Sequence, residues 1–132
     1  MKYCPAPDIK EKIDLLIKKL NFNYVRPEKI HCIRSFDAKT RAYARIWGMS
    51  KLFSQVAGIE PCYIIEVNAK RFDRLDKREQ IKTLIHELLH IPKTFSGALL
   101  SHRGKNRHIN DSRIEKIMKE FSINQPETLV KG

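Results

Sequence analysis

Residues 83–104 read TLIHELLHIPKTFSGALLSHRG, and His86-Glu87-Leu88-Leu89-His90 within them constrains this chain more than any other segment. An α-helix turns by about 100° per residue, so residues four apart share a face. On a helix, His86 and His90 present two imidazoles to one metal ion, and Glu87 projects from an adjacent angle, close enough to activate a water there. Ile81, Leu84, Ile85, Leu88 and Leu89 recur at the spacing of a buried apolar stripe. That periodicity predicts a helix with one face in a core and the other, carrying the histidines and Thr83, lining a cleft. Pro92 stops it, because the residue before a proline is biased out of the α region. A surface helix with two merely solvated histidines would give no role to Glu87 or to His102.

Catalytic zinc sites take three protein ligands and keep one position open. His102 is favoured as the third ligand, because Gly97 lets the intervening loop turn back and Gly104 follows closely. His108, just ahead of the last helix, and Glu115, on that helix, compete for the place. A lone His31 on a strand reads as structural. With His86, His90 and His102 on zinc, Glu87 is expected to take a proton from water and pass it to the leaving amine of an amide. Tyr43, Tyr63 and Arg103 are the candidates for stabilising the oxyanion.

The remaining elements follow from periodicity and capping. Asp8 reads as the N-cap of a first helix to about Leu20, with Ile9, Ile13, Leu16 and Ile17 as its stripe. The residues before it, through Pro7, read as an extended lead. Strands are expected at about Lys29–Ser35, Arg41–Trp47 and Cys62–Val67. The aromatic side of Arg41–Trp47 is expected to face the core, and Cys62–Val67 to form the exposed sheet edge. A short helix around Leu52–Val56 ends at Gly58, residues 71–79 form a polar connection, and a loop hinged at Gly97 follows the motif. Ser112 and Glu115 make a capping box for a last helix to about Phe121, with a frayed tail from Asn124. This order predicts an α+β domain spanning residues 1–132. A small, mostly antiparallel sheet of about three strands packs on the N-terminal helix, the motif helix and the C-terminal helix.

Length and charge bound the function. The chain has 132 residues, enough for one core without disulfides. Cys4, Cys32 and Cys62 form no C-x-x-C pair, and no apolar segment approaches transmembrane length, so a reducing cytoplasm is expected. The net charge of +11 points to an anionic partner, nucleic acid above all. Lys39, Arg41 and Arg45, with Lys105 and Arg107 near the metal loop, are the expected contacts. Two classes of function follow: a zinc-dependent peptidase acting on protein, including nucleic-acid-associated protein, and a zinc-stabilised nucleic-acid-binding module.

HELLHIPKTFSG followed by SHRG resembles the small metallopeptidases of archaea and phages, and the likeness runs from PAPDI through RAYARIW, YIIEV and the C-terminal helix. The resemblance implies a minimal zincin-like domain, with His86, Glu87, His90 and His102 at the matching functional positions. A more distant similarity links this plan to SprT/Spartan-type proteases, which act on proteins bound to DNA. The chain shows no zinc ribbon of the sort that would accompany that substrate. It departs from the metzincin pattern, since Lys93 and Ser96 stand where that pattern has glycine and histidine.

Overall fold

The computed structural model describes residues 2–101 and 109–124. Its elements run β1 (Lys2–Pro5), α1 (Pro7–Lys19), a 3₁₀ turn (Pro27–Lys29), β2 (Ile30–Phe36), β3 (Ala44–Trp47), α2 (Lys51–Ala57), β4 (Tyr63–Asn68), α3 (Ala69–Phe72), α4 (Lys77–Leu88) and α5 (Asp111–Asn124). The architecture is α+β, as expected, but the sheet has four strands in the order β1-β2-β4-β3. The residues read as an extended lead form β1, antiparallel to β2, with Lys2 opposite Phe36. Such a strand tolerates Pro5 because it lies at the sheet edge, where a missing N–H breaks no interior ladder. β2 and β4 pair in parallel, so the sheet is mixed, and β3 pairs antiparallel with β4.

That order corrects the expected edge. Tyr63–Asn68 lies inside the sheet, flanked by β2 and β3, and the edge nearest α4 is β3. It also fixes which face is buried. Tyr63, Ile65 and Val67 are sealed against α1, α4 and α5 together with Ile9, Ile13, Leu16, Ile81, Leu84, Ile85 and Phe121. Ala44 and Ile46, opposite Val67 and Ile65, turn to that same face. Side chains alternate along a strand, so Arg45 and Trp47 point the other way and Tyr43 lies outside, which reverses the expectation that the aromatic side would be core. Tyr43 and Trp47 are each 46% exposed.

On the outer face Glu66 is nonetheless only 2% exposed, because the Trp47 indole donates to it at 2.9 Å and the Arg45 guanidinium lies 3.3 Å away. Burial opposes ionisation of Glu66, but these donors outweigh it and hold the carboxyl below its ordinary range. The Arg45 guanidinium also sits over the Trp47 ring, 5.0 Å from its centroid. β3 is therefore clamped to β4 by side chains as well as by its ladder.

Helix starts differ in detail from the expected caps. Pro7 opens α1 and Ala6 precedes it, where proline's fixed φ suits the first helical position. Asp8 instead meets Arg34 of β2, which also reaches Asp73. The polar connection contains α3 and the start of α4, which Asp76 caps by accepting from the Glu79 N–H at 2.8 Å. Asn110, not Ser112, caps α5, its side chain accepting from the Arg113 N–H. Gly58 ends α2 at φ 67°, as its place after the helix predicted. Cys4, Cys32 and Cys62 are free thiols.

The Asp8–Arg34 pair gives a pH-dependent prediction. Hydrogen bonds from Arg34 lower the Asp8 carboxyl from 3.8 to about 2. A carboxylate depressed in the folded state adds stability fully present above its unfolded pKa and lost as pH falls through the folded value. Asp8→Asn should therefore destabilise modestly at neutral pH, since the pair is half exposed, and have little effect near pH 2. Urea unfolding at both pH values checks this, and an equal loss at both would contradict it.

Candidate metal centre

α4 carries the motif toward the β3 edge. Gln80, Ile81, Leu84, Ile85, Glu87 and Leu88 are its buried residues, so Glu87 is the one charged group on the packed side. The helix closes at Leu88, with Leu89 as its cap. The final turn tightens: the His90 N–H bonds the Glu87 carbonyl at 3.1 Å and the Ile91 N–H bonds that of Leu88. His90 thus stands just past the helix but keeps its place one turn beyond His86. The two rings lie 5.2 Å apart between centroids at 65°, close enough for a nitrogen of each to reach one ion.

The loop after α4 determines how His90 is presented. The Leu100 N–H donates to the His90 carbonyl at 2.8 Å, and the Leu100 carbonyl lies 2.5 Å from His90 Nδ1. A carbonyl oxygen only accepts, so Nδ1 must carry the proton, and the lone pair of the neutral ring resides on Nε2. That is the state in which an imidazole binds a metal while its other nitrogen is held by a backbone group.

Three further ties hold the loop. The Tyr63 hydroxyl accepts from the Gly97 N–H and donates to the Ala98 carbonyl, both at 2.8 Å. The Gly97 carbonyl accepts from the Met49 N–H at 2.8 Å. Phe95, at φ 47°, is kept in that strained conformation by edge packing on Tyr63, with centroids 5.0 Å apart. Gly97 turns at φ 95°, and a Cβ there would meet the Met49 carbonyl oxygen at 2.6 Å. Glycine is required at this hinge. Tyr63 is therefore a fully buried support of the loop and is removed from the oxyanion candidates.

A cleft of about 530 Å³ runs along this arrangement, lined by Ala44, Ile46, His86, Glu87, His90 and Leu99 among others. It continues past His86 and Glu87 to a second hollow bounded by Tyr43, Glu79, Lys82, Thr83 and Asp111. Glu87 is 7% exposed, and burial pushes its carboxyl up to about 8. A carboxyl whose ionisation is suppressed by desolvation is a place where an added cation is favoured. His86 and His90, the latter with Nδ1 fixed, are therefore the described residues that could contribute to holding a metal ion.

Other expected site residues stand elsewhere. Glu115 on α5 is taken by Arg78 at 2.5 Å and lies 3.6 Å from Lys82. His31 is exposed on β2 and lines neither part of the cleft. Arg45 is engaged with Glu66. His102, Arg103, Lys105, Arg107 and His108 lie outside the described residues. Among the described residues, no three His, Cys, Asp or Glu side chains gather into a metal-binding group. Also among them, no helix is long and apolar enough to cross a membrane. The sequence carried no signal for the Leu100 carbonyl, because a backbone group has no residue identity. Tyr63, expected from the sequence as an oxyanion candidate, supports the loop instead, because its strand lies inside the sheet.

A small mixed sheet is thus backed by a helix whose last turn and cap carry H-E-x-x-H, with both histidines in one cleft. The family described as Putative phage metallopeptidase matches residues 1–121, and the chain belongs to it. The family description suggests a metal-dependent hydrolase acting on protein. No curated protein and no solved structure matches this chain.

Tyr63→Phe tests the loop account. It leaves the buried Gly97 N–H without its acceptor, which should cost about 1–3 kcal/mol in denaturant unfolding. An unchanged midpoint would show that the loop does not depend on Tyr63.

Proposed function

We propose that the protein is a zinc-dependent endopeptidase or related amide hydrolase, with His86, His90 and His102 as ligands and Glu87 as general base. The observation that carries this reading is the pair of imidazoles beside a buried carboxyl in a cleft along an edge strand. His102 is supported by chain reach. It follows Leu100 by two residues, each spanning at most about 3.6 Å, and Leu100 is fastened to His90. His108 lies much further along the chain, and the ion pairs of Glu115 make it a poorer competitor.

Zinc, when bound, supplies Lewis acidity, lowering the pKa of water to about 7 and polarising a carbonyl oxygen. The Leu100 carbonyl keeps His90 in one tautomer and orientation. Glu87 accepts a proton from the attacking water and returns it to the leaving amine. Its place in the cleft beside both histidines supports this role. β3, with its outer ladder side at the sheet edge, is the strand on which an extended peptide would lie, in place of the interior Tyr63–Asn68. Tyr43, exposed where the cleft turns past Glu87, is the preferred oxyanion donor among described residues.

Lys39 and Arg41 are exposed just ahead of β3. Together with the net charge they support an anionic partner near the cleft, so that substrates include proteins carried on nucleic acid. DNA affinity should then fall steeply across a salt series. Unmeasurable binding at low salt would leave a peptidase without this partner.

Glu87→Gln should retain zinc and lose about 10²–10⁴-fold in peptide hydrolysis. His86→Ala and His90→Ala should each abolish tight zinc binding, and His102→Ala should weaken it far more than His108→Ala. Elemental analysis and a fluorogenic peptide assay measure both. Zinc-loaded wild-type protein that binds DNA as tightly as its Glu87→Gln variant and hydrolyses no peptide would favour the zinc-stabilised nucleic-acid-binding module instead.

A further inference from the structure

The cleft does not end at Glu87. Ala44, His86 and Glu87 line both of its parts, so the second hollow opens directly beside the histidine pair. It measures about 290 Å³. Pockets that take whole small molecules begin near about 300 Å³, so this one has room for a single long side chain.

The hollow runs against the charge of the chain. The sequence has 26 lysine and arginine residues against 15 aspartate and glutamate. This hollow instead gathers Glu79, Glu87 and Asp111 around Lys82 as its one ammonium. Lys82 is drawn to Glu115, 3.6 Å away, which Arg78 also holds. The Thr83 hydroxyl is committed to the Glu79 carbonyl at 2.8 Å. Glu79 makes only a 3.4 Å approach to Arg78, with both side chains about half exposed. Asp111, in the first turn of α5, has no ion pair among the described residues. Two carboxylates from separate helices therefore meet at one hollow without a cation between them. Glu87 is 7% exposed and meets no hydrogen-bond donor among the described residues. A sealed carboxyl without a donor marks a place that a ligand completes.

We infer that this hollow is a specificity subsite for one lysine or arginine side chain of a polypeptide substrate, beside the bond that is cut, read by Glu79 and Asp111. The cationic head meets the two carboxylates, and the aliphatic stem lies along Ala44 and Ile114, which also line the hollow. An acidic side chain is repelled there. The rest of the chain, at +11, works against a basic substrate, so the preference is confined to this point of the surface. The inference rests on the peptidase reading.

A peptide series with one lysine moved stepwise through an alanine- and glutamine-based sequence tests it on the zinc-loaded protein, with products identified by mass spectrometry. The cut should follow the lysine at constant spacing, and the product masses give the side of the bond on which it lies. Glutamine in place of that lysine should lower kcat/KM about fivefold, the effect expected of two part-exposed carboxylates, and glutamate should lower it further. Glu79→Gln with Asp111→Asn should abolish the difference between the lysine and glutamine peptides. Each substitution alone should narrow it about twofold, which decides the matter if the double variant fails to fold. A cut whose place ignores the lysine, or a preference that survives these substitutions, overturns the subsite and leaves the peptidase reading standing. Binding to zinc-loaded Glu87→Gln protein, followed by fluorescence anisotropy, separates the converse case. Lysine peptide held about fivefold tighter than glutamine peptide, with neither cut by wild-type protein, would overturn the peptidase reading and leave the subsite standing.

Discussion

An imidazole is a directed metal donor only when its other nitrogen is committed. In this protein that commitment is made by the Leu100 carbonyl on His90 Nδ1, paired with the Leu100 N–H on the His90 carbonyl. The two bonds close the segment between residues 90 and 100 into a ring. They do so because Gly97 turns the chain at positive φ and Tyr63 reaches up from the sheet to hold both sides of that turn. Ring orientation at the site is therefore set by the interior strand β4, acting through one hydroxyl. The same loop presents Leu99 to the cleft and binds the end of β3.

The sheet supplies the second constraint. α1, α4 and α5 pack on one face, so the motif helix can bury Ile81, Leu84, Ile85 and Leu88 and still bring His86 to the rim. Glu87 is drawn into the packed side with them, which explains both its burial and the upward shift of its carboxyl. The edge strand beside it is short. Glu66 stiffens it by holding Arg45 and Trp47 on the outer face, where an exposed edge would otherwise fray.

What could be read from the sequence was what depends on local period. The stripe of Ile9, Ile13, Leu16 and Ile17 and that of Ile81, Leu84, Ile85, Leu88 and Leu89 are buried as their spacing predicts. The β-rich run at Tyr63–Asn68 is a strand, and Gly58 and Gly97 turn where expected. What could not be read depends on who pairs with whom. β1 exists only because residues 33–36 lie opposite it, and nothing in KYCP marks that partner. The parallel pairing of β2 with β4 skips β3, which moves the edge to Ala44–Trp47 and turns Trp47 outward. Arg45 looked like a phosphate contact because its sequence neighbours are basic and aromatic, whereas its nearest charge is a carboxylate on another strand. His86, Glu87 and His90 share one cleft, as their spacing predicts, whereas the carbonyl that fixes His90 had no sequence signal.

The central claim is that these two histidines bind one metal with His90 coordinating through Nε2. Crystals of the zinc-loaded protein, recorded on both sides of the zinc absorption edge, test it directly. The account predicts a single anomalous peak bonded to His86 and to His90 Nε2, at about 2.0–2.1 Å, with Nδ1 of His90 still donating to the Leu100 carbonyl. A peak bonded to Nδ1 of His90, or zinc bound elsewhere with the two histidines bare, would contradict it.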